Sequence, residues 1–298
     1  MGFPYKVRQR LKRIYQNGEW TYRRLDHTLR LTDHPPILCN SFQKSGTHLL
    51  AGLISQLPDV RYYRRKAYWH FLNRSAVGGG VHNKISDVTQ RLDRCLPGEM
   101  YRGHIAAHPQ IAATLKAHQF KHIFIFRDLR DVLVSLMFWW LKPPEAFDNW
   151  PYRHYVTLTN NEERLKFLIT GFAEDIMLGG KPAQTIFPDI GARFREFMPW
   201  LNEPNCLPVR FEDLIDPDRK NDVYEDLARY LVPQADDSEV ANIVTRMEKG
   251  SDPGKSKTFR KGRSGEWQKH FTAEHKALFK QYAGDILIQL GYEKDLEW

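Results

Sequence analysis

Lys44-Ser45-Gly46-Thr47 places a cation, two hydroxyls and a glycine in one short turn. The turn follows an apolar run, Pro36-Ile37-Leu38-Cys39, and opens an apolar, helix-like segment from Leu49 to Leu57. Strand, small-residue turn and helix in that order capture phosphate. Backbone N–H groups of the turn and of the first helical turn point at the anion, and the helix dipole favours negative charge. Lys44 adds a mobile cation, and Ser45 and Thr47 add hydroxyl donors. The stretch is not a Walker A loop, which has two glycines and a lysine after the second. Taken alone, an ordinary strand-to-helix turn with a solvated lysine would read the same.

Two further segments change that weighing. In Lys121–Ser135 an apolar run ends at Phe126 and is followed by the charged stretch Arg127-Asp128-Leu129-Arg130-Asp131 and then by a helix-like segment. Arg127 sits at the carboxyl end of the predicted strand, where open α/β sheets bind ligands, and Ser135 lies eight residues later. The third segment, Phe259-Arg260-Lys261-Gly262-Arg263-Ser264-Gly265-Glu266-Trp267, carries two glycines among three cations. It reads as a basic loop suited to gripping phosphate, or else as a solvated basic loop.

In this order the three segments resemble the sulfotransferases that use 3′-phosphoadenosine 5′-phosphosulfate (PAPS). That family's 5′-phosphosulfate loop, approximately Pro-Lys-Ser-Gly-Thr-Thr-Trp, is matched by Gln43 through Leu49. Its 3′-phosphate segment, an arginine with a serine eight residues on, is matched by Arg127 and Ser135. Its late loop, approximately Arg-Lys-Gly-x-x-Gly-Asp-Trp-Lys-x-x-Phe-Thr, is matched by Arg260 through Thr272. The likeness runs from roughly Pro36 to Leu290. A fourth match carries the catalytic base: the family has a Lys-Thr-His strand between the two phosphate segments, and here Arg102-Gly103-His104 stands in its place, with His108 as the local competitor. The sequence also departs from the pattern. Leu49 stands where cytosolic members carry a tryptophan that stacks on adenine, a contact of order 1–3 kcal/mol per base, and Phe211 is a candidate to compensate. Gln43 replaces a common proline and His48 a common threonine.

These residues need elements to position them. Apolar runs near 37, 100–105, 121–126 and 207–211 alternate with helical patterns near 110–118, 131–141, 162–178, 190–201, 222–231, 238–248 and 273–290. Strands alternating with helices predict an α/β fold, a single domain with a central parallel β-sheet flanked by helices. The resemblance implies the P-loop-kinase-like sulfotransferase version of it. Residues 1–35 read as a basic helical lead packed on a domain spanning 36–298. Segment 61–98, with Gly78-Gly79-Gly80, reads as a substrate-side insertion, and 250–266 as a flexible loop.

The chain has 298 residues, 42% of them hydrophobic, with 44 Lys and Arg against 36 Asp and Glu, a net charge of +8. Such an excess suits nucleic acid, an anionic membrane or an anionic small ligand, and PAPS has about four negative charges when its phosphate sites ionise as phosphates do. The three cysteines, Cys39, Cys95 and Cys206, are widely spaced, so neither a disulfide framework nor a zinc site is indicated. No apolar run reaches about 18 residues and the amino terminus lacks a signal core. The expectation is a cytoplasmic protein of the soluble branch acting on small molecules, without nucleic acid or stable membrane insertion, and with homodimerisation left open.

Sulfuryl transfer moves an SO₃ unit in line, so by analogy with phosphoryl transfer the protein's task is positioning and charge stabilisation. On the resemblance, His104 takes the acceptor proton, since imidazole titrates near neutral pH. Lys44 neutralises the leaving 5′-phosphate, assisted by Ser45, Gly46, Thr47 and His48. Arg127, Ser135, Arg260, Lys261 and Gly262 hold the 3′-phosphate, with 3′,5′-adenosine diphosphate as product and no metal required. Ser135 is also implied to hold Lys44 away until the nucleotide is in place. Two other classes stay open: an ATP-dependent kinase, which would need a metal-holding acid and a second loop glycine, and a nucleic-acid or membrane binder with a degenerate nucleotide site. The acceptor is an alcohol, phenol, amine or glycolipid. Aromatics such as Trp69, Phe138, Trp139 and Trp140 line its pocket or fill the core, and Glu145 and Asp148 are placed to hold a cationic one.

Overall fold

The computed structural model describes residues 34–58, 60, 70–71, 84–142, 150–178, 181–250 and 264–298, with Gly18, Thr21, Tyr22, Arg24 and Leu25 of the basic lead. Those five lead residues are helical and exposed. The apolar run before Lys44 is strand β1, Ile37–Ser41, buried along its whole length. Parallel to it on one side run β3, Met100–Gly103, and the short edge strand β2, His70–Phe71. On the other side lie β4, Lys121–Phe126, and β7, Cys206–Arg210. The spatial order is β2-β3-β1-β4-β7, all parallel, as alternation predicts.

A sheet covered on both faces needs apolar side chains on both sides of each strand. Ile37, Cys39, Ile123 and Ile125 join a cluster with Leu50, Leu53, Leu227 and Met247, under helices α1 (Thr47–Ile54), α9 (Lys220–Leu231) and α10 (Asp237–Gly250). Leu38, Tyr101 and Phe124 face the opposite cluster with Leu133, Leu168, Phe279 and Ile286. These come from α4 (Leu129–Leu141), α6 (Asn161–Thr170) and α11 (Ala273–Gln289). Two further helices, α2 (Ile85–Leu92) and α3 (Pro109–Ala117), flank β3 in sequence. Among the described residues no helix is long and apolar enough to cross a membrane.

The structure corrects two readings. The helix expected over 162–178 stops at Thr170, and Phe172–Leu178 is strand β5, antiparallel to β6, Lys181–Phe187, in a separate two-stranded sheet. Gly171 makes the break. Its φ is 72°, and a Cβ there would lie 2.2 Å from the Phe187 carbonyl oxygen, so only glycine fits. The pair Gly179-Gly180 between the strands is a hairpin signal in the sequence. The helix expected over 190–201 is α7, Ile190–Arg195, followed by a 3₁₀ turn at Met198–Leu201. Segment 61–98 contains β2 and α2, while its glycine triplet lies outside the described residues. The described residues also hold a five-residue helix, α8 (Phe211–Ile215), α5 (Trp150–Tyr155) and a 3₁₀ turn at Glu266–Lys269.

Candidate active site

Parallel strands put all their carboxyl ends on one edge, and four of those ends carry the predicted chemistry. The Lys44 turn follows β1, His104 follows β3, Arg127 follows β4 and Phe211 follows β7. The register sets them side by side: Asn40 pairs with Gly103 and Phe124, Ser41 with Ile125, and Phe126 with Arg210. The site is thus a consequence of strand order and register.

The turn after β1 is shaped for an anion. Lys44 adopts a left-handed backbone, φ 66°, and so does Gly46, φ 106°. A non-glycine residue in that region is uncommon and collects at functional sites. Gly46 cannot carry a side chain: a Cβ would lie 2.5 Å from Cδ2 of Phe211 and 3.0 Å from Cδ1 of Ile125. Gly46 is also the residue before α1, and no side chain caps that helix. The first N–H groups of a helix have no intrahelical partner, so those of α1 are left for a ligand. Ser45 is fully buried and its Oγ has no partner among the described residues. A buried orphan hydroxyl beside an uncapped helix start fits an anionic guest.

The Lys44 ammonium lies over the Trp139 ring, 5.5 Å from its centre. Trp139 is one turn beyond Ser135 on α4, which places Lys44 over the helix face that Ser135 shares. Burial pushes the Lys44 pKa down to about 8, and the Arg127 charge adds to the shift. Burial disfavours the charged ammonium, and a second cation nearby disfavours it further.

Arg127 is half-buried, its guanidinium centred 4.4 Å above the Phe211 ring and 3.5 Å from the Asp131 carboxylate. Phe211 is itself buried, filled in from the Gly46 side. Asp131 reaches further: Oδ2 accepts the N–H of Gly265 at 2.8 Å and Oδ1 that of Trp267 at 3.0 Å. Burial raises the Asp131 carboxyl above its ordinary value, against the pull of Arg127 and the two N–H groups. The next residue back, Arg130, grips Asp128 at 2.7 Å and Glu293 at 2.5 Å, and its guanidinium lies against the rings of Trp267 and Trp298 at 3.9 and 4.5 Å. The end of the basic loop is therefore fastened to the turn that holds Arg127. Arg260, Lys261 and Gly262 lie outside the described residues.

His104 is half-buried, and its Nδ1 lies 3.0 Å from the carbonyl oxygen of Ser41 and 2.9 Å from Ser41 Oγ. A carbonyl only accepts, so this contact favours a proton on Nδ1, which leaves Nε2 its lone pair, whereas the Ser41 hydroxyl suits either tautomer. The backbone beyond His104 is clamped by Asn40, whose Oδ1 accepts the Ile105 N–H at 2.8 Å and whose Nδ2 donates to the Ile105 carbonyl at 3.0 Å. The Trp200 indole donates to the same carbonyl at 2.8 Å. The competitor, His108, accepts the Gln110 N–H at 3.2 Å and caps α3. On the same side, Arg102 Nη1 lies 2.6 Å from Nδ1 of His48, which joins the loop to the strand of His104.

Of the aromatics read as pocket or core, Trp140 is core, packed edge-on against Tyr155 at 5.0 Å. Trp139 is half-buried beneath Lys44, and Phe138, also half-buried, packs edge-on against His270 at 5.3 Å. Trp69, Glu145 and Asp148 lie outside the described residues. Sequence reasoning missed Asn40, Ser41 and Asp131. Asp131 carried a signal, its i,i+4 spacing from Arg127. For Asn40 and Ser41 the only sign was two polar residues ending an apolar run.

The sequence matches the sulfotransferase domain over residues 34–291. Mouse sulfotransferase SULT7A1 complexed with PAP has a similar fold: TM-score 0.55 at 19% identity, over 88% of this chain and 89% of that one. Retinol dehydratase in complex with androsterone and inactive cofactor PAP gives 0.48 at 14% identity, over 85% and 80%. No curated protein matches this sequence. A phosphate-shaped loop on a parallel sheet, inside a domain match that spans most of its length, leaves one conclusion: the chain belongs to the sulfotransferase family.

Proposed function

We propose that this chain transfers a sulfuryl group from PAPS to a hydroxyl or amine of a small-molecule acceptor in the cytoplasm, with His104 as general base. The observation that carries this reading is the meeting of Lys44, His104 and Arg127 at three adjacent strand ends. Lys44, the α1 N–H groups and the Ser45 and Thr47 hydroxyls would hold the 5′-phosphosulfate, the donor of the SO₃ unit. Arg127 and Ser135 on the neighbouring turn would hold the 3′-phosphate, with Phe211 beneath Arg127 on the adenine side. Nε2 of His104 would receive the acceptor proton.

Two measurements test it. 3′,5′-Adenosine diphosphate should raise the melting temperature more than ATP with Mg²⁺, and labelled PAPS offered with a panel of phenols, alcohols, amines and glycolipids should yield a labelled product. Stronger stabilisation by ATP with Mg²⁺ would point to a kinase instead.

The 3′-phosphate site has its own expected result. Arg127→Ala should weaken 3′,5′-adenosine diphosphate about tenfold or more, because a charged hydrogen bond contributes about 1.5–3 kcal/mol. Ser135→Ala should weaken it less. Both should leave adenosine 5′-monophosphate nearly unchanged. Calorimetry with the two nucleotides cancels any general damage from leaving Asp131 without its cation. Equal losses would place the 3′-phosphate elsewhere.

A further inference from the structure

Three side chains form a continuous line from the phosphate loop to the base. Thr47 Oγ1 lies 2.5 Å from Ser41 Oγ, and Ser41 Oγ lies 2.9 Å from His104 Nδ1. Ser41 is fully buried and Thr47 nearly so. Bulk water therefore does not compete for these bonds, and each hydroxyl must point its proton at a neighbour.

The line can run in two directions. In one, Thr47 donates to Ser41 and Ser41 donates to His104 Nδ1. That puts the ring proton on Nε2 and turns the side facing an acceptor into a donor. In the other, His104 Nδ1–H donates to Ser41, Ser41 donates to Thr47, and the Thr47 hydroxyl donates outward. The Ser41 carbonyl at 3.0 Å from Nδ1 favours the second direction. So does an anion in the loop. Thr47 opens α1, where the helix start and Lys44 gather negative charge, and an anionic oxygen there accepts the Thr47 proton.

We propose that Ser41 is a positioning residue that couples occupancy of the 5′-phosphate loop to the state of His104. An anion at Thr47 orients both hydroxyls, fixes the ring proton on Nδ1 and leaves Nε2 as the base. The imidazole is thus set for proton abstraction when the donor nucleotide is in place. This rests on the reading of His104 as the base, and it assigns Ser41 a part that no contact with substrate would reveal.

The test compares Ser41→Ala, Ser41→Thr and His104→Ala with the wild type. The readouts are ¹⁵N resonances of the His104 ring with and without 3′,5′-adenosine diphosphate, calorimetric affinity for that nucleotide, and turnover with the best acceptor from the panel. In the wild type the nucleotide should move the ring nitrogens toward the Nδ1–H form. Ser41→Ala should bind the nucleotide within a few-fold of wild type, lose most of that response and lose turnover by about 10–100-fold, by analogy with the loss of a partner that orients a metal-bound histidine. Ser41→Thr, which restores a hydroxyl, should recover both. Retained nucleotide affinity shows that the variants fold. An unchanged ring response and unchanged turnover in Ser41→Ala, beside an inactive His104→Ala, would overturn the coupling and leave the base assignment standing. An active His104→Ala would overturn the base assignment itself.

Discussion

His104→Ala should lower turnover by about 10²–10⁴-fold, the usual contribution of a positioned general base, while affinity for 3′,5′-adenosine diphosphate survives. The geometry motivates both halves. Nδ1 lies against Ser41, so Nε2 is the ring nitrogen that would meet an acceptor. The loss should be largest for a weakly acidic alcohol. It should shrink for an acceptor that is already anionic or an amine that is already neutral, because neither needs its proton removed. His108→Ala is the control: that ring caps α3, so its removal should cost about 1 kcal/mol of stability, as lost helix caps do, and little turnover. Turnover of both variants with one acceptor, measured across pH, separates them. A dead His108→Ala beside a normal His104→Ala would reverse the assignment.

Lys44→Ala should cost about 10²–10³-fold in turnover, the range for removing one group that stabilises developing charge, with a smaller loss in nucleotide affinity. The wild type offers a second check. The free enzyme holds Lys44 near pKa 8 because burial and the Arg127 charge disfavour its ammonium. As pH rises through that value the charge is lost, so kcat/KM for PAPS should fall on its alkaline side from about pH 8. An anionic nucleotide favours the ammonium and raises its pKa, so the matching limb in kcat should lie at higher pH. Lys44→Arg, whose guanidinium stays charged, should remove the limb even though its shape lowers the rate. A Lys44→Arg profile that still falls near pH 8 would assign the limb to another group.

Motifs that carry their own geometry were legible in the sequence. The Lys44 turn needed only an apolar run before it and a helix after it, and the strands at 37, 121 and 207 stood out because a buried parallel strand is apolar on both faces. The hairpin was not legible by periodicity. Phe172–Leu178 has no strict alternation, and the preceding helical pattern runs into it until Gly171 turns the backbone. In the site, residues that act on ligand were readable by type, whereas those that act on other residues were not. Asn40 imitates a peptide unit where the β1–β3 ladder ends, and Ser41 bridges a loop to a strand 63 positions away. Such pairings exist only once the register is set.

The Asp131 carboxylate holds Arg127 with one oxygen and, with both, the backbone at Gly265 and Trp267. A buried acid shared in this way ties two distant stretches of chain into one cooperative unit. If the backbone at 265–267 loosens, the carboxylate loses two donors while still out of water and leans harder on Arg127. If Arg127 is pulled away, the same carboxylate loses its cation. Neither stretch opens cheaply alone, so their amide protons should exchange at a common rate in the empty protein. A phosphate that claims Arg127 draws on that shared carboxylate, so its arrival is felt at the Trp267 backbone as well.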